Sequence, residues 1–324
     1  MVRRQVGLVL GGCIGAGVAV QARVNGALGE RLHDGVGAAV VSFGTGLVLV
    51  GLVFLGSGRL RAGVRRIRAA VAEGTLRWWQ LLGGLCGAVF VACQGLTVAA
   101  IGVTAFTVSV VAGQLVSSLV VDRLGLGPGG RTPVTRWRIG GAGVALVAVL
   151  LAAVGRHSGV SESLSAPEVF RSAPVGVLIV LPVLAGVGVA WQQAVNGRVG
   201  AVGGPLSATL GNFVTGLAGL LVVEALLRAR TGLPTEFPSE PWLYLGGAIG
   251  VVFIALAVLV VRWIGVLLLG LSSVAGQLLA SLVLDVVAPT GAVLSMAAVA
   301  GCVLTFVAVA LAARSPRTLV TESP

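Results

Sequence analysis

Apolar residues run along this chain in stretches of about twenty, separated by short polar or arginine-bearing breaks. Ten stretches reach that length: 6–27, 36–56, 78–99, 101–121, 137–154, 174–195, 205–227, 242–261, 264–284 and 290–312. A helix needs about 20 apolar residues to cross a bilayer, so the pattern predicts an all-α polytopic membrane protein with ten transmembrane helices. The apolar residues are continuous instead of alternating in strands of about ten, which argues against a β-barrel. The third and fourth stretches meet at a very tight joint, Ala99–Ile101.

The polar positions inside these stretches repeat. "VAGQLVSSLVVD" (111–122) returns as "VAGQLLASLVLD" (274–285), nine of twelve residues identical at an offset of 163. "LGGLCGAVFV" (82–91) matches "LGGAIGVVFI" (245–254) at the same offset. "VQARVNG" (20–26) matches "WQQAVNG" (191–197), and "SFGTGL" (42–47) matches "NFVTGL" (212–217). Four blocks in the same order describe a duplicated five-helix unit: 1–154 and 173–313, joined by a polar linker, 155–172, and followed by a tail, 314–324. Five helices per copy turn the second copy upside down in the membrane. Such inverted repeats are a signature of secondary transporters, which bind substrate near the midplane between the repeats.

Composition supports the membrane reading. Hydrophobic residues make up 56% and charged residues 10% of the 324, with mean hydropathy +1.04, against roughly 25% charge in a soluble domain. The formal charge of +11 sets 22 basic residues, all Arg, against 11 acidic ones. With a cytoplasmic N-terminus, 16 of them fall inside and 6 outside, the bias of the positive-inside rule. The excess is an orientation signal, so nucleic acid is not an expected partner. The loop after the second helix alone carries Arg59, Arg61, Arg65, Arg66, Arg68 and Arg77. "LGGC" (10–13) faintly resembles a lipoprotein cleavage site, but the apolar run before it is too short for a signal peptide, and the first segment reads as a retained helix.

The Gln-x-x-Val-Asn-Gly, Ser/Asn-Phe-x-x-Gly, Gly-Gly-x-x-Gly and Gly-Gln-x-x-x-Ser-x-x-x-Asp blocks resemble the YdcZ-like inner-membrane branch of the drug/metabolite transporter superfamily, in a fused two-repeat form. The resemblance spans both halves. It implies the ten-helix fold of that superfamily, a central cavity lined by helices 1–4 and 6–9, and peripheral helices 5 and 10.

Helical neighbours lie three or four residues apart. Gln114, Ser118 and Asp122 therefore form one stripe on the fourth helix, and Gln277, Ser281 and Asp285 form its copy on the ninth. Gln21 with Asn25, and Gln192 with Asn196, do the same on the first and sixth. One reading is a polar substrate cavity between the copies, with Trp191 beside Gln192 for stacking and Asp122 and Asp285 as gates. The other is interhelical glue, since such groups join membrane helices at about 0.6–2 kcal/mol each, with the two aspartates as interfacial caps or ion pairs. Gly83-x-x-x-Gly87 and Gly246-x-x-x-Gly250 have the spacing that lets helix backbones approach closely.

No catalytic or phosphate-cradling motif is present, so the chain does not read as an enzyme, and no cofactor or metal is expected. A neutral polar cavity suits a small neutral or zwitterionic solute, exported by alternating access. A lipid head-group flippase or a non-transporting scaffold are the alternatives. The expected partners are the substrate, the lipid bilayer and a second copy docked through helices 5 and 10, where Gly141 and Ala145 are small. Both termini are expected in the cytoplasm.

Overall fold

The structure, a computed structural model, describes residues 2–32, 34–154, 175–228, 237–287 and 296–315. The side chains of Glu30, 94–106, 153–154, 175–179, Arg228 and Asp285 lie outside the described set. Among the described residues the regular structure is entirely helical. The helices are α1 (Val2–Leu32), α2 (Gly35–Gly56), α3 (Gly58–Ala72), α4 (Gly83–Leu124), α5 (Arg136–Val154), α6 (Val175–Gly203), α7 (Pro205–Arg228), α8 (Gly246–Val287) and α9 (Met296–Ala313). Short 3₁₀ turns at Trp78–Leu82 and Pro241–Tyr244 lead into α4 and α8. Six described helices or helical stretches are long and apolar enough to cross a membrane.

Local sequence sets the helix ends. Asp34 Oδ1 accepts from the Val36 and Gly37 amides at 3.0 and 2.9 Å and starts α2, a side-chain cap for donors that lack an intrahelical partner. Ser57 closes α2 through its amide to the Val53 carbonyl and opens α3 by accepting from Leu60. The arginine-rich stretch after α2 is thus a helix, not the loop its polarity suggests. Leu60, Gly63, Ile67 and Ala70 are buried at helical spacing while the arginines between them are exposed.

The third and fourth sequence stretches form the single 42-residue α4, and the eighth and ninth form α8. α8 breaks at Gly265 (φ 79°, ψ 175°), a conformation that essentially only glycine adopts. The contacts follow this fold-back. Gly17 faces Phe253 and Gly7 faces Ile264, so α1 runs against the first arm. Gly11 then meets Ser272 and Gly15 meets Ser273, along the second arm. α4 doubles back likewise: Gly188 of α6 faces Cys86, while Gly186 faces the Val110 carbonyl, and Cys93, Val110 and Ala185 share one core cluster.

α5 and α9 pack on each other. Gly141 lies against the Ala308 carbonyl and Ala312, and Gly301 against the Ala148 carbonyl and Ala152. The small residues behind the expectation of a second copy, Gly141 and Ala145, are therefore buried within one chain. Outer faces bearing Ile139, Val147, Val303 and Phe306 remain exposed. The Arg4 guanidinium donates to the Ala313 and Ser315 carbonyls, so the start of α1 and the end of α9 share one end of the bundle.

Candidate functional site

The polar residues of the two copies gather on either side of an aromatic pair. Phe43 of α2 and Phe213 of α7 bring their ring centroids to 5.2 Å, tilted by 49°. They are equivalent positions of the repeat, so the contact lies where the copies meet. The Phe213 ring also rests on Gly46, and that of Phe43 on Gly216.

On the first-copy side, Gln21 Nε2 donates to the Gly246 carbonyl at 2.8 Å. Asn25 Oδ1 and Ser42 Oγ fill the space where a Gly246 side chain would stand, and Gln21 does the same at Gly250. Asn25 Oδ1 is buried and accepts no hydrogen bond among the described residues. On the second-copy side, Gln192 Nε2 and Asn196 Nδ2 both donate to Asn212 Oδ1, at 2.8 and 2.7 Å. Asn212 is 1% exposed, and its Nδ2 has no hydrogen-bond partner among the described residues. Gly83 and Gly87 make room for Asn196 and Gln192. These glycines were expected to bring backbones together. It is Gly84 and Gly247 that do so, against the Asn212 and Ser42 carbonyls, whereas Gly83, Gly87, Gly246 and Gly250 seat amide side chains.

A buried amide donor or acceptor left without a partner costs about 1–3 kcal/mol. Asn212 Nδ2 and Asn25 Oδ1 are therefore places where a ligand or a water gains what the protein forgoes. Their chemistry is complementary: the second-copy cluster has a donor to spare and the first an acceptor. The difference traces to the repeat, because Asn212 stands where the first copy has Ser42. Neither these two residues nor the two phenylalanines stand out as site candidates in sequence. The signal was the leading polar residue of the "SFGTGL" and "NFVTGL" blocks.

The other candidates lie elsewhere. Gln114, 8% exposed, packs its amide near Gly270, and Ser118 Oγ donates back to the Gln114 carbonyl at 2.6 Å, within its own helix. Gln277 and Ser281 are half-buried on the second arm of α8, where the backbone nitrogen of Gln277 lies close to Gly15. The contacts thus divide the six glutamines and asparagines into separate groups. Trp191 stacks on Trp79 at 5.7 Å with planes 24° apart, so one of its faces is occupied by the chain itself.

Asp122 is buried. Its Oδ1 accepts the Val266 amide at 3.0 Å and its Oδ2 the Leu267 amide at 3.1 Å, and the carboxylate is ion-paired with the buried Arg138. It caps the arm of α8 that restarts after Gly265 and ties it to α5. The side chain of Asp285 lies outside the described residues. Among the described residues no group of three or more His, Cys, Asp or Glu could hold a metal.

Comparison with known proteins gives the site its context. The sequence model of the family described as "Putative inner membrane exporter, YdcZ" matches twice, over residues 6–151 and 177–311. No curated protein matches the sequence. Nine solved chains are similar in structure. One, titled "Crystal structure of protein", is 18% identical, with a TM-score of 0.60 over 96% of this chain and 97% of that one. That likeness is one of fold.

Proposed function

The chain belongs to the YdcZ family of inner-membrane exporters within the drug/metabolite transporter superfamily, and from that membership we propose that it exports a small neutral or zwitterionic solute by alternating access. α4 and α8 each cross the membrane twice, so the chain crosses ten times as two inverted copies. The shared end of α1 and α9 faces the cytoplasm, in keeping with the 16 arginines counted on that side. In this arrangement the Phe43–Phe213 pair lies at the centre, between the cluster of Gln21, Asn25 and Ser42 and the cluster of Gln192, Asn196 and Asn212.

One observation carries the reading: a buried donor, Asn212 Nδ2, and a buried acceptor, Asn25 Oδ1, both lack partners among the described residues. They sit on opposite copies of a repeat whose halves exchange roles in alternating access. A solute with both an acceptor and a donor group, and no net charge, satisfies both without leaving a buried charge uncompensated. Gln114 and Gln277, on the fold-back arms, line the path to either side. Asp122 is the latch at the cytoplasmic end, holding the restart of α8 to α5 through Arg138, and Asp285 is its counterpart in the second copy.

Cells lacking and overproducing the protein, challenged with a panel of neutral, zwitterionic, anionic and cationic compounds, test this. The expected result is tolerance and efflux confined to one or a few neutral or zwitterionic solutes. Tolerance to cations alone overturns the substrate class. Scrambling of labelled lipid in reconstituted vesicles, without solute movement, overturns the exporter reading in favour of a flippase.

A further inference from the structure

α3 has a face that the transport cycle does not use. Its apolar side is fully engaged. Leu60 packs with Val50, Phe213 and Val251, Ile67 and Ala70 pack with Val199, Ala208 and Val258, and Gly63 lies against the Gly203 carbonyl. The opposite side carries Arg61, Arg65 and Arg68 at i, i+4 and i+7, flanked by Arg59 and Arg66, all five exposed.

Two of these arginines are occupied. Arg61 donates to the Phe54 carbonyl at 3.2 Å and to that of Leu55, closing the end of α2. Arg66 donates to the Val202 and Gly203 carbonyls at 3.1 and 3.4 Å, closing α6. Cations at helix C-termini offset the unpaired carbonyls there. Arg59, Arg65 and Arg68 make no hydrogen bond or ion pair among the described residues, and the single acidic side chain of this segment is Glu73, at its far end. α3 follows directly from an apolar helix of membrane-spanning length and leads to Trp78, 67% exposed. An exposed tryptophan at a helix start marks the headgroup level of a bilayer. The corresponding stretch of the second copy, 228–240, carries two Arg and two Glu, so the basic face belongs to one end of the molecule only.

We infer that Arg59, Arg65 and Arg68 of α3 form a binding surface for the phosphate headgroups of anionic phospholipids in the leaflet at that end. A guanidinium pairs two N–H groups with two phosphate oxygens, and anionic lipid attracts basic residues near its surface by about fivefold in affinity per residue. Orientation by the positive-inside rule requires only that the charges be present during insertion. A headgroup surface requires that three of them stay free and face outward after the other two have been tied to helix ends.

The full-length protein, purified in mild detergent and titrated with phosphatidylglycerol or phosphatidylcholine, tests this by native mass spectrometry. The wild type should retain phosphatidylglycerol over phosphatidylcholine, and the preference should fall as salt is raised. Equal retention of the two lipids, or a preference insensitive to salt, overturns the inference without recourse to any variant. The triple variant R59Q/R65Q/R68Q leaves 13 of the 16 cytoplasmic arginines and both helix-closing contacts in place. Its preference should drop by roughly a hundredfold, while R59K/R65K/R68K, which keeps the charge and loses the fork, should drop by less. A glutamine triple variant with undiminished preference would overturn it, as would a preference for free inorganic phosphate equal to that for the lipid.

Discussion

Asp122 caps the helical arm that begins at Val266: its Oδ1 accepts the Val266 amide at 3.0 Å across 144 residues of sequence. The same carboxylate pairs with Arg138, and both side chains are 5% exposed. One group thus holds the end of α4, the restart of α8 and the beginning of α5 together. Removing one partner of a buried pair leaves the other charged and uncompensated, at a cost of about 3–5 kcal/mol. Asp122→Ala should lower stability by that amount in a denaturation experiment, and Asp122→Leu combined with Arg138→Met should lose less than either single change. A double variant less stable than both would show that the pair is not the source of the loss.

Gly265 supplies the turn that the cap closes. Its φ of 79° with ψ of 175° lies where a side chain costs of order 1–3 kcal/mol. Gly265→Ala should lower the melting temperature accordingly, whereas Gly44→Ala, at a helical position with open space around it, should not. Equal effects would mean that the α8 break does not depend on this conformation.

The two stripe glutamines separate transport from stability. Leu matches Gln in size and needs no partner in lipid. Gln114→Leu and Gln277→Leu should abolish efflux while leaving expression and melting temperature nearly unchanged. If the amides are interhelical glue, each variant should instead lose about 0.6–2 kcal/mol, with transport falling only in step with folded protein.

Orientation can be read by labelling. A cysteine at Gly63 would be a poor reporter, because that position is buried against Gly203. The linker position Ser161 lies outside the described residues. Ala69 on α3 and Ser239 before α8 are both exposed. In a background free of other cysteines, an impermeant reagent applied to whole cells should modify Ser239→Cys and spare Ala69→Cys. The reverse pattern would place both termini outside.

The helical class and the duplicated blocks were readable because apolar run length and repeated polar residues are properties of the sequence itself. What each repeated residue touches was not readable. The Gly83/Gly87 spacing is compatible with backbone contact, yet the neighbouring register, Gly84, takes that role and leaves Gly83 and Gly87 to accommodate amides. α3 was read as a loop because its arginines mask the buried positions Leu60, Ile67 and Ala70 in any average of hydropathy. The Phe43–Phe213 contact and the role of Asn212 depend on how two distant copies meet, and no local pattern encodes that. Asp122 was legible as a polar residue with a cap or ion-pair reading, but its partner at Val266 follows only from the fold-back at Gly265.

The central claim is that Asn212 presents its Nδ2 hydrogens, which have no partner among the described residues, to the exported solute. Asn212→Asp keeps the oxygen that accepts from Gln192 and Asn196 and, as a carboxylate, puts a second acceptor in place of the Nδ2 donor that has no partner among the described residues. The most direct measurement is transport into everted membrane vesicles of each solute the wild type exports, compared between wild type and Asn212→Asp at equal protein level and equal melting temperature. The account predicts that transport falls at least tenfold, the factor that corresponds to about 1.4 kcal/mol for one lost hydrogen bond. Transport by Asn212→Asp at the wild-type rate would contradict it.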